Sequence, residues 1–437
     1  MGTALPLPAL PDAQVCVALS GGLDSTVLLH RLASEPEVRV RGLRAWHVHH
    51  GLHAHADAWV GRCEAACAAL GVPLTVSRVT VSREDGLGIE GAARRARRAA
   101  FAEGLVAGEV LALAHHRDDQ AETFLLRALR ASGPDGLAAM PAWRDFGRGH
   151  LWRPLLQLPR ASLLSYATAH GLDWIEDPSN TDEAFDRNFL RHRVMPLLAS
   201  RWPHAAAAMA RSADLCGEAA VLLDAGDTDA LQACGLPGQP ALLSRAALVR
   251  LPPERRARVL RRWIAGLGLP PLPAGGVARI ESELLPARSD ATPRYAWAGA
   301  AVHAWRDLLH AARLQPGLPP DWQARWDGLA PLPLHGGGTL QLCPLAPSAG
   351  AERAAFDPPV IVHVRRGGER ITLPGRAHSH LLKHVLQDRG VPPWERPRMP
   401  LLSTPNGELL AAGDRVLSAR MQAWLQERNV ALAWHPA

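Results

Sequence analysis

The sequence predicts an α/β fold whose first part is a doubly wound parallel sheet. An apolar run at residues 15–19, VCVAL, is typical of a buried strand, and a Gly-rich turn and a helix follow it. Apolar runs and helical segments then alternate as far as residue 130, which is the pattern of parallel sheets. The 437 residues are enough for two or three domains.

The remaining elements of this part follow from the periodicity of the apolar residues. We expect further strands at residues 39–49, 73–81 and 110–114, and helices at residues 57–70, 90–103, 118–130 and 160–170. Ligands of such sheets bind outside the carboxyl ends of the strands. We therefore expect residues 20–25, 47–53 and 115–122 to share one crevice.

The turn Ser20-Gly21-Gly22 is predicted to bind phosphate. Its amides and the N-terminus of the next helix face one point, and Asp24 or Ser25 is placed to cap that helix. A Walker A loop is excluded, since it needs a lysine and the chain has one lysine, at position 383. The alternative is an ordinary tight connection between a strand and a helix.

Composition narrows the class of protein. Forty-seven of the 48 basic residues are arginine, which fits a GC-rich genome. The arginines and the net charge of +6 also give a slight preference for a phosphate-bearing partner. The six cysteines include no C-x-x-C pair, and no signal peptide precedes the first strand, so we expect a reducing cytoplasm. No apolar run is long enough to cross a membrane.

The histidine-rich segment at residues 47–55 suggests a metal site, because imidazole is a common metal ligand. The nearest cysteines, Cys63 and Cys67, do not support this site: they are four residues apart on an Ala-rich helix, where buried thiols are usual. We expect His49 or a backbone group to contact the nucleotide, with a zinc site as the alternative.

On the next helix, Arg94 shares a stripe with Glu90, and Arg94 is our candidate for a residue that reaches the crevice. A solvated helix face is the alternative there.

Two further segments carry paired charges. Asp119 and Glu122 are three residues apart at a helix start, which suits a cationic ammonium group or, together with Asp118, Mg²⁺ on a pyrophosphate. Arg187 and Arg191 are four apart and suit a phosphate or a carboxylate. The alternatives are acids that only complement the helix dipole and a basic helix on the surface.

The motif SGGLDS resembles the signature of the PP-loop ATP pyrophosphatases, which cleave ATP between its α and β phosphates. Together with HHGL, HHRDDQAET, RPLL and EDPSNTD…RNFLRHRVMP, in this order over residues 15–196, it resembles the bacterial tRNA(Ile)-lysidine synthetases. This resemblance implies an enzyme that uses ATP and Mg²⁺ to ligate free L-lysine to the wobble cytidine of a CAU anticodon in tRNA(Ile). It also suggests a homodimer.

The resemblance implies roles for individual residues. The ATP loop would comprise Ser20, Gly21, Gly22, Leu23, Asp24 and Ser25. Asp24 would bind Mg²⁺ or pyrophosphate, and Asp119 and Glu122 would hold the lysine ammonium group. Asn180, Arg187 and Arg191 would face the lysine carboxylate or the nucleotide phosphate. Two other classes stay open: another PP-loop tRNA-modifying enzyme such as a thiolase, and a non-catalytic ATP-sensing tRNA-binding protein.

The rest of the chain is expected to bind tRNA. We expect a catalytic domain over residues 1–200, a mainly helical middle domain over residues 201–350 and a small α+β domain over residues 351–437. The last is basic around Trp394, which fits phosphate contact and base stacking, although packing of this tryptophan is an equal alternative. It resembles the C-terminal domain of the family, which implies recognition of the tRNA acceptor end by Arg370 and Lys383.

Overall fold

The computed structural model describes residues 5–51, 56–81, 88–345 and 354–436. The chain divides into two compact units, Met1–Asp224 and Ala225–Ala437. The finer division into three domains, with boundaries at 200 and 350, stays a prediction. Leu52 and His53 of the predicted crevice, His55 of the histidine-rich segment and the side chain of Glu90 lie outside the described residues.

The first unit has the predicted alternation of strands and helices. Up to the fourth strand its elements are β1 Val15–Ala18, α1 Leu23–Ala33, α2 Pro36–Arg41, β2 Leu43–His49, α3 Ala56–Leu70, β3 Leu74–Arg78, α4 Gly88–Gly104 and β4 Val110–Ala112. They are followed by α5 Arg117–Ala128, α6 Pro134–Leu137, β5 Trp143–Phe146, β6 Gly149–Trp152, α7 Arg160–Ala169, α8 Asp186–Phe189, α9 Met195–Arg201 and α10 Ala205–Cys234. A 3-10 turn, Pro178–Thr181, precedes α8, and a π-helical turn, Leu190–Val194, follows it.

In the described part of this unit, six strands form one sheet in the order β3-β2-β1-β4-β6-β5. Neighbouring strands from β3 to β6 run parallel, and β5 pairs with β6 as an antiparallel hairpin. In the register of the centre, Val15 of β1 lies between Leu43 of β2 and Val110 of β4. The predicted doubly wound parallel sheet is therefore confirmed.

The two faces of this sheet carry separate hydrophobic cores because side chains alternate along a strand. Val15 and Val17 pack with residues of α1, α3 and α7 on one face. Cys16, between them, packs on the other face with Phe101 of α4 and with Leu105, which directly follows that helix. Burial of both faces fixes the register of β1 and therefore the position of the turn that follows it.

One boundary in this unit differs from its prediction. Residues 39–41 were expected in a strand but belong to α2, and the strand begins at Leu43. Gly42 separates the two elements with a φ of 108°, a conformation that favours glycine. Valine and arginine in this segment are compatible with either state, and the backbone break at Gly42 decides it.

The second unit contains more strand than we predicted. Before residue 345 its elements are β7 Gly235–Leu236, β8 Gln239–Ser244, α11 Arg245–Arg250, α12 Pro253–Gly266, α13 Ala274–Arg279, β9 Arg294–Trp297, β10 Ala300–Trp305, β11 Leu308–Arg313, β12 Gln323–Trp326, β13 Leu332–Pro333 and β14 Gly338–Pro344. After residue 353 they are β15 Val360–His363, β16 Arg370–Ile371, β17 His380–Leu381, α14 Leu382–Asp388, β18 Leu401–Ser403, β19 Leu409–Ala412, β20 Val416–Leu417, α15 Ala419–Glu427 and β21 Val430–Pro436.

Two expectations from the sequence of this unit have a clear outcome. Residues 297–314 are expected to form strand pairs, and this is confirmed because β10 pairs antiparallel with both β9 and β11. The Ala/Leu/Arg-rich residues 241–267 are expected to form a helix, which is wrong at its start, since Ala241–Ser244 belong to β8, which pairs with β11. Pairing with a distant strand overrides the helix propensity of an Ala/Leu segment there. None of the described helices has both the length and the apolar composition needed to cross a membrane.

Candidate active site

The loop between β1 and α1 has the geometry of an anion-binding turn. Gly21 has a φ of 85°, and Gly22 is the N-cap of α1, with no side chain accepting from the first amides. The prediction that Asp24 or Ser25 caps α1 is wrong, because the helix begins at Leu23 and both residues lie inside it. Ser25 instead bridges the loop: Oγ accepts from the amide of Ser20 at 3.2 Å and donates to the carbonyl oxygen of Gly22 at 3.1 Å.

Gly21 is in close contact with the segment that follows α7. The amide of Ile175 donates to the carbonyl oxygen of Gly21 at 2.8 Å. A Cβ atom at Gly21 would lie 2.5 Å from Cδ1 of Ile175 and 3.1 Å from Sγ of Cys63. Position 21 therefore needs glycine for its backbone conformation and for space.

One carboxylate oxygen of Asp24 faces His116, which lies in the loop after β4. Its Oδ2 lies 3.7 Å from Nε2 of His116. Its Oδ1 is buried and has no hydrogen-bond partner among the residues that the structure describes. Burial raises the pKa of Asp24, an effect that the positive charge of His116 opposes. A buried acceptor without a partner is unusual and marks a position where a ligand can bind.

His116 joins the carboxylates at the start of α5. It is the N-cap of that helix: in the neutral ring Nδ1 accepts from the amide of Asp119 at 3.4 Å, and the amide of His116 donates to Oδ2 of Asp119 at 3.1 Å. In the protonated ring Nδ1 donates instead, toward Oδ2 of Asp118 at 3.5 Å. Burial alone would lower the pKa of His116, but the hydrogen bond to Asp118 and the charges of Asp119 and Asp24 raise it. The loops after β1 and β4 thus meet at one imidazole, as the predicted crevice requires.

Two acids and two arginines form a paired network beside His116. Arg187 donates from Nε to Oε2 of Glu122 at 2.8 Å. Arg191 donates to Oε1 of Glu122 at 2.7 Å and to Oδ1 of Asp119 at 2.9 Å. Glu122 is 1% exposed and Asp119 is 8% exposed. Arg191 lies in the π-helical turn after α8, and such turns are frequent at functional sites.

The network lowers the pKa of Asp119. Burial would raise it, but the positive charges of His116 and Arg187 have the larger effect together. For Arg191, burial is likewise outweighed by the hydrogen bond and the charge of Glu122, so its pKa is raised. These shifts favour the charged forms of Asp119 and Arg191. Sequence spacing placed each pair on one helix face, and the structure brings the two pairs together.

Asp118, predicted as a metal ligand, contacts a different element. Its Oδ2 accepts from the amide of Arg160, the first residue of α7, at 2.9 Å. Burial would raise the pKa of Asp118, but this bond and the hydrogen bond with His116 lower it to about 2. Asp118 therefore ties the start of α5 to the start of α7.

The loop before α8 is held by residues that we did not single out. Asp177 accepts from the amide of Ser179 at 2.8 Å, and Nδ2 of Asn188 donates to the carbonyl oxygens of Ser179 and Asp182, each at 2.9 Å. Asn180 is exposed, and its carbonyl oxygen accepts from Nε2 of His192 at 2.9 Å. These bonds fix the predicted residue Asn180 next to the helix that carries Arg191.

The remaining predicted residues of the first unit lie around β2 and α4. His49 is buried, with Nε2 at 3.4 Å from Oδ1 of Asp57. Arg94 is exposed on α4. Arg97, on the same helix, acts electrostatically on the segment after β2: burial and then the charge of Arg97 lower the pKa of His50 to about 4. The prediction that Arg94 reaches the crevice stays a prediction.

The predicted tRNA-binding residues of the second unit are held in a β-hairpin and the helix after it. Arg370 donates to Oγ of Ser379 at 2.9 Å within the β16–β17 hairpin, and Lys383 is exposed on α14. Trp394 is half-buried and stacks on His310 with ring centres 4.1 Å apart. The packing alternative is therefore the correct one for this tryptophan, and its prediction as a free base-stacking side chain is wrong.

Three cysteines of the first unit, Cys16, Cys63 and Cys67, are buried thiols. Burial raises the pKa of Cys16 and of Cys63 to about 12, and that of Cys67 to about 11. Thiols of this kind are poor nucleophiles and poor metal ligands at neutral pH. Across residues 5–51, 56–81, 88–345 and 354–436, no group of three or more His, Cys, Asp or Glu side chains could hold a metal ion.

Two residues central to this geometry had not been assigned a role from sequence. In the sequence His116 is only one residue of the motif HHRDDQAET. Its function as a helix cap depends on Asp119, which is the third residue of α5 and bonds back to it. Arg153, in the motif RPLL, donates from Nε to Nδ1 of His115 at 3.0 Å. An arginine directly after a strand of the sheet was the available signal for it.

Family models match most of the chain. A PP-loop domain matches residues 5–198, a TilS substrate binding domain matches residues 243–310, and a TilS substrate C-terminal domain matches residues 360–434. Among solved structures, a U34-tRNA thiolase from Methanococcus maripaludis aligns with 47% of this chain and 73% of its own at 19% identity and a TM-score of 0.38. The assignment to a family therefore depends on sequence relatives.

Those relatives match from end to end. The tRNA(Ile)-lysidine synthase of Xanthomonas axonopodis pv. citri is 53% identical over 100% of this chain and 97% of its own length. The tRNA(Ile)-lysidine synthase of Xylella fastidiosa is also 53% identical, over 99% of this chain and 98% of its own. Together with the PP loop and the charged network after β4, these matches show that the chain belongs to the tRNA(Ile)-lysidine synthase family.

Proposed function

We propose that this chain ligates free L-lysine to C2 of the wobble cytidine in the CAU anticodon of tRNA(Ile), converting ATP to AMP and pyrophosphate. The observation that carries this function is the paired network of Asp119, Glu122, Arg187 and Arg191 beside the PP loop. It occurs in a chain that matches tRNA(Ile)-lysidine synthases over its full length.

The proposed reaction has two steps. First, O2 of the cytidine attacks the α-phosphorus of ATP, the bond to pyrophosphate breaks, and the cytidine becomes adenylated. Next, the ε-amino group of lysine attacks C2, the bond from C2 to the phosphate-bearing oxygen breaks, and AMP leaves. The amine must arrive unprotonated and lose a further proton, which a nearby carboxylate can accept. Positioning and charge neutralisation supply most of the remaining catalysis.

The charged network suits an amino acid as the second substrate. Its two carboxylates and two guanidinium groups balance each other, and a lysine molecule brings both ammonium groups and a carboxylate. We infer that Asp119 and Glu122 hold an ammonium group while Arg187 and Arg191, near Asn180, face the carboxylate or the nucleotide phosphate. Binding then exchanges ion-pair partners instead of leaving a buried charge unpaired, which would be costly.

The loop Ser20–Ser25 is the proposed site for the ATP phosphates. The positive φ of Gly21 and the uncapped first amides of α1 support this assignment. The unpartnered Oδ1 of Asp24 fits a cation ligand, and Asp24 with Asp118 would hold Mg²⁺, whose charge would stabilise the departing pyrophosphate. His49 is proposed to contact the nucleotide, and Arg94 the reacting cytidine.

Further proposals concern the rest of the chain and its setting. Arg370 and Lys383 are proposed to contact the tRNA acceptor end, and we propose a homodimer in the cytoplasm. A thiolase is the weaker candidate because Cys16, Cys63 and Cys67 are buried thiols with raised pKa values, whereas sulfur transfer needs reactive cysteines.

The function is tested by incubating the protein with ATP, Mg²⁺, radiolabelled lysine and a tRNA(Ile) transcript with a CAU anticodon. We expect acid-stable label in the RNA and one AMP released for each lysine incorporated. A transcript in which uridine replaces the wobble cytidine should gain no label. Release of AMP without label in the RNA would contradict the proposed substrate, and the absence of both signals would favour a binding protein.

The variant Asp24→Asn tests the role of the β1 loop in this reaction. It keeps the shape of the side chain but removes the charge, so we expect the rate of lysine incorporation to fall at least about 100-fold. The free energy of unfolding should stay within about 1 kcal/mol of the unsubstituted protein, since Oδ1 has no described partner to lose. Asp145→Asn, on an exposed side chain of β5, is the control and should leave the rate unchanged.

A further inference from the structure

Three arginines gather at the α4 face of the β5–β6 hairpin. Arg144 and Phe146 are two residues apart on β5 and so lie on one face of the sheet. The guanidinium carbons of Arg98, from α4, and of Arg144 lie 5.6 and 5.7 Å from the ring centre of Phe146. Arg153 directly follows β6 on the same face, two residues after Leu151, which pairs with Arg144.

The charges of these arginines are not balanced by acids. Within the residues that the structure describes, Arg98, Arg144 and Arg153 form no ion pair with an aspartate or glutamate, and Nε of Arg144 is buried without a hydrogen-bond partner. Burial and, next, the neighbouring arginines lower the pKa of Arg153 to about 10. Like charges at this spacing repel each other, and a bound anion would remove that cost.

The arginines border the crevice. Arg153 is 7% exposed and donates from Nε to Nδ1 of His115 and from Nη1 to the carbonyl oxygen of Pro141, so these two bonds leave Nη2 for another acceptor. His115 lies between β4 and the start of Asp119's helix. Because β6 is two positions from β1 in the sheet, this edge lies roughly 10 Å from the strand that ends in the PP loop.

We propose that Arg98, Arg144 and Arg153 bind a phosphodiester group of the tRNA strand that carries the reacting cytidine. Guanidinium forks match pairs of phosphate oxygens, and a tRNA bound for reaction at the crevice brings backbone phosphates to its border. The phosphates of ATP have the same chemistry, but the PP loop already provides their site. The inference rests on the proposed function, because it takes the anticodon loop of the substrate as the occupant.

The test compares Arg144→Gln with Arg148→Gln, which removes the same charge from the same hairpin at an exposed position outside the cluster. The dissociation constant of the unmodified CAU transcript is measured from about 50 to about 200 mM salt. We expect Arg144→Gln to weaken binding about 10-fold and to reduce the slope of log K against log salt by about 0.7, with ATP binding unchanged. Arg148→Gln should stay within about twofold of the unsubstituted protein.

Arg98→Gln gives a second test of the site, because this exposed side chain can be changed without disturbing a buried bond. If both Arg144→Gln and Arg98→Gln bind the transcript as Arg148→Gln does, the inference is wrong. It is also wrong if these variants weaken ATP binding and leave the salt slope for RNA unchanged. Lysine transfer by the unsubstituted protein distinguishes failure of the proposed function from failure of the arginine site. If the unsubstituted protein transfers no lysine, the proposed function is wrong. If it transfers lysine and the variants bind RNA normally, only the arginine site is wrong.

Discussion

The loops after β1 and after β4 meet at His116 but satisfy their charges in opposite ways. After β4, Asp119 and Glu122 are paired with arginines through bonds of 2.7 to 2.9 Å. After β1, Asp24 leaves a buried oxygen without a described partner. A paired charge stabilises the free protein and must change partners when substrate binds, whereas an unpaired one gains its partner from the ligand. In the free protein, ion pairs therefore stabilise the loop after β4, whereas the loop after β1 keeps an unpaired carboxylate oxygen.

The variant Glu122→Ala should have the largest effect on stability. It leaves Arg187 and Arg191, both partly buried, without their main acceptor, the nearly fully buried Glu122 carboxylate. Breaking a buried ion pair from one side typically costs 3–5 kcal/mol, so we expect the free energy of unfolding to fall by about 3 kcal/mol. Urea unfolding followed by circular dichroism measures this loss, and lysine incorporation should be lost as well.

Glu183→Ala is the matched control for this change. Glu183 accepts from Nε of Arg193 at 2.9 Å, but this pair is exposed. Exposed pairs contribute below about 1 kcal/mol, so the free energy of unfolding should change little. If Glu122→Ala and Glu183→Ala lower the free energy of unfolding equally, the network after β4 contributes no more to stability than an exposed ion pair.

Gly21→Ala should have an intermediate effect and tests the β1 loop. The new Cβ would need a positive φ and would lie 2.5 Å from Cδ1 of Ile175, so we expect a loss of about 2 kcal/mol in the free energy of unfolding. ATP should bind more weakly, because the loop amides must move. Both quantities can be measured on one preparation by urea unfolding and by equilibrium titration with ATP.

Gly22→Ala serves as the control for backbone strain. Gly22 has a φ of −74°, and its Cβ would lie 3.6 Å from the nearest side-chain atom, Oγ of Ser20, which is ordinary contact. We expect its free energy of unfolding within about 0.5 kcal/mol of the unsubstituted protein. Equal losses for the two glycine variants would show that the conformation of Gly21 is not what constrains the loop.

Local patterns were sufficient to predict the parallel sheet and the helix face that Asp119 and Glu122 share. The apolar run before Gly21 and the alternation that follows gave the parallel sheet, and the spacing of Asp119 and Glu122 gave their common face. Partners distant in sequence could not be predicted this way: Arg187 meets Glu122 across 65 residues, and Asp118 meets Arg160 across 42. Periodicity within one helix says nothing about which distant element supplies the opposing charge.

The smallest expected effect concerns the pH dependence of stability through Asp118. Its pKa of about 2 lies below the unfolded value of about 3.9, so its contribution is present above about pH 4 and is lost as the pH falls toward 2. Because its side chain is 40% exposed, we expect about 1 kcal/mol after solvent screening. Asp118→Asn should therefore be less stable than the unsubstituted protein at about pH 6, and about half of that difference should be gone at about pH 3.

Urea unfolding of Asp118→Asn at both pH values measures this change, with Asp145→Asn as the control for removal of an exposed carboxylate. A difference that stays constant with pH would mean that the charge of Asp118 does not strengthen the hydrogen bond that the amide of Arg160 donates to it. A difference in the free energy of unfolding that becomes smaller at low pH would show that the charge of Asp118, like those of the other residues after β4, stabilises the free protein. Asp24 would then differ from Asp118 and Asp119 in keeping a buried oxygen without a described partner in the free protein.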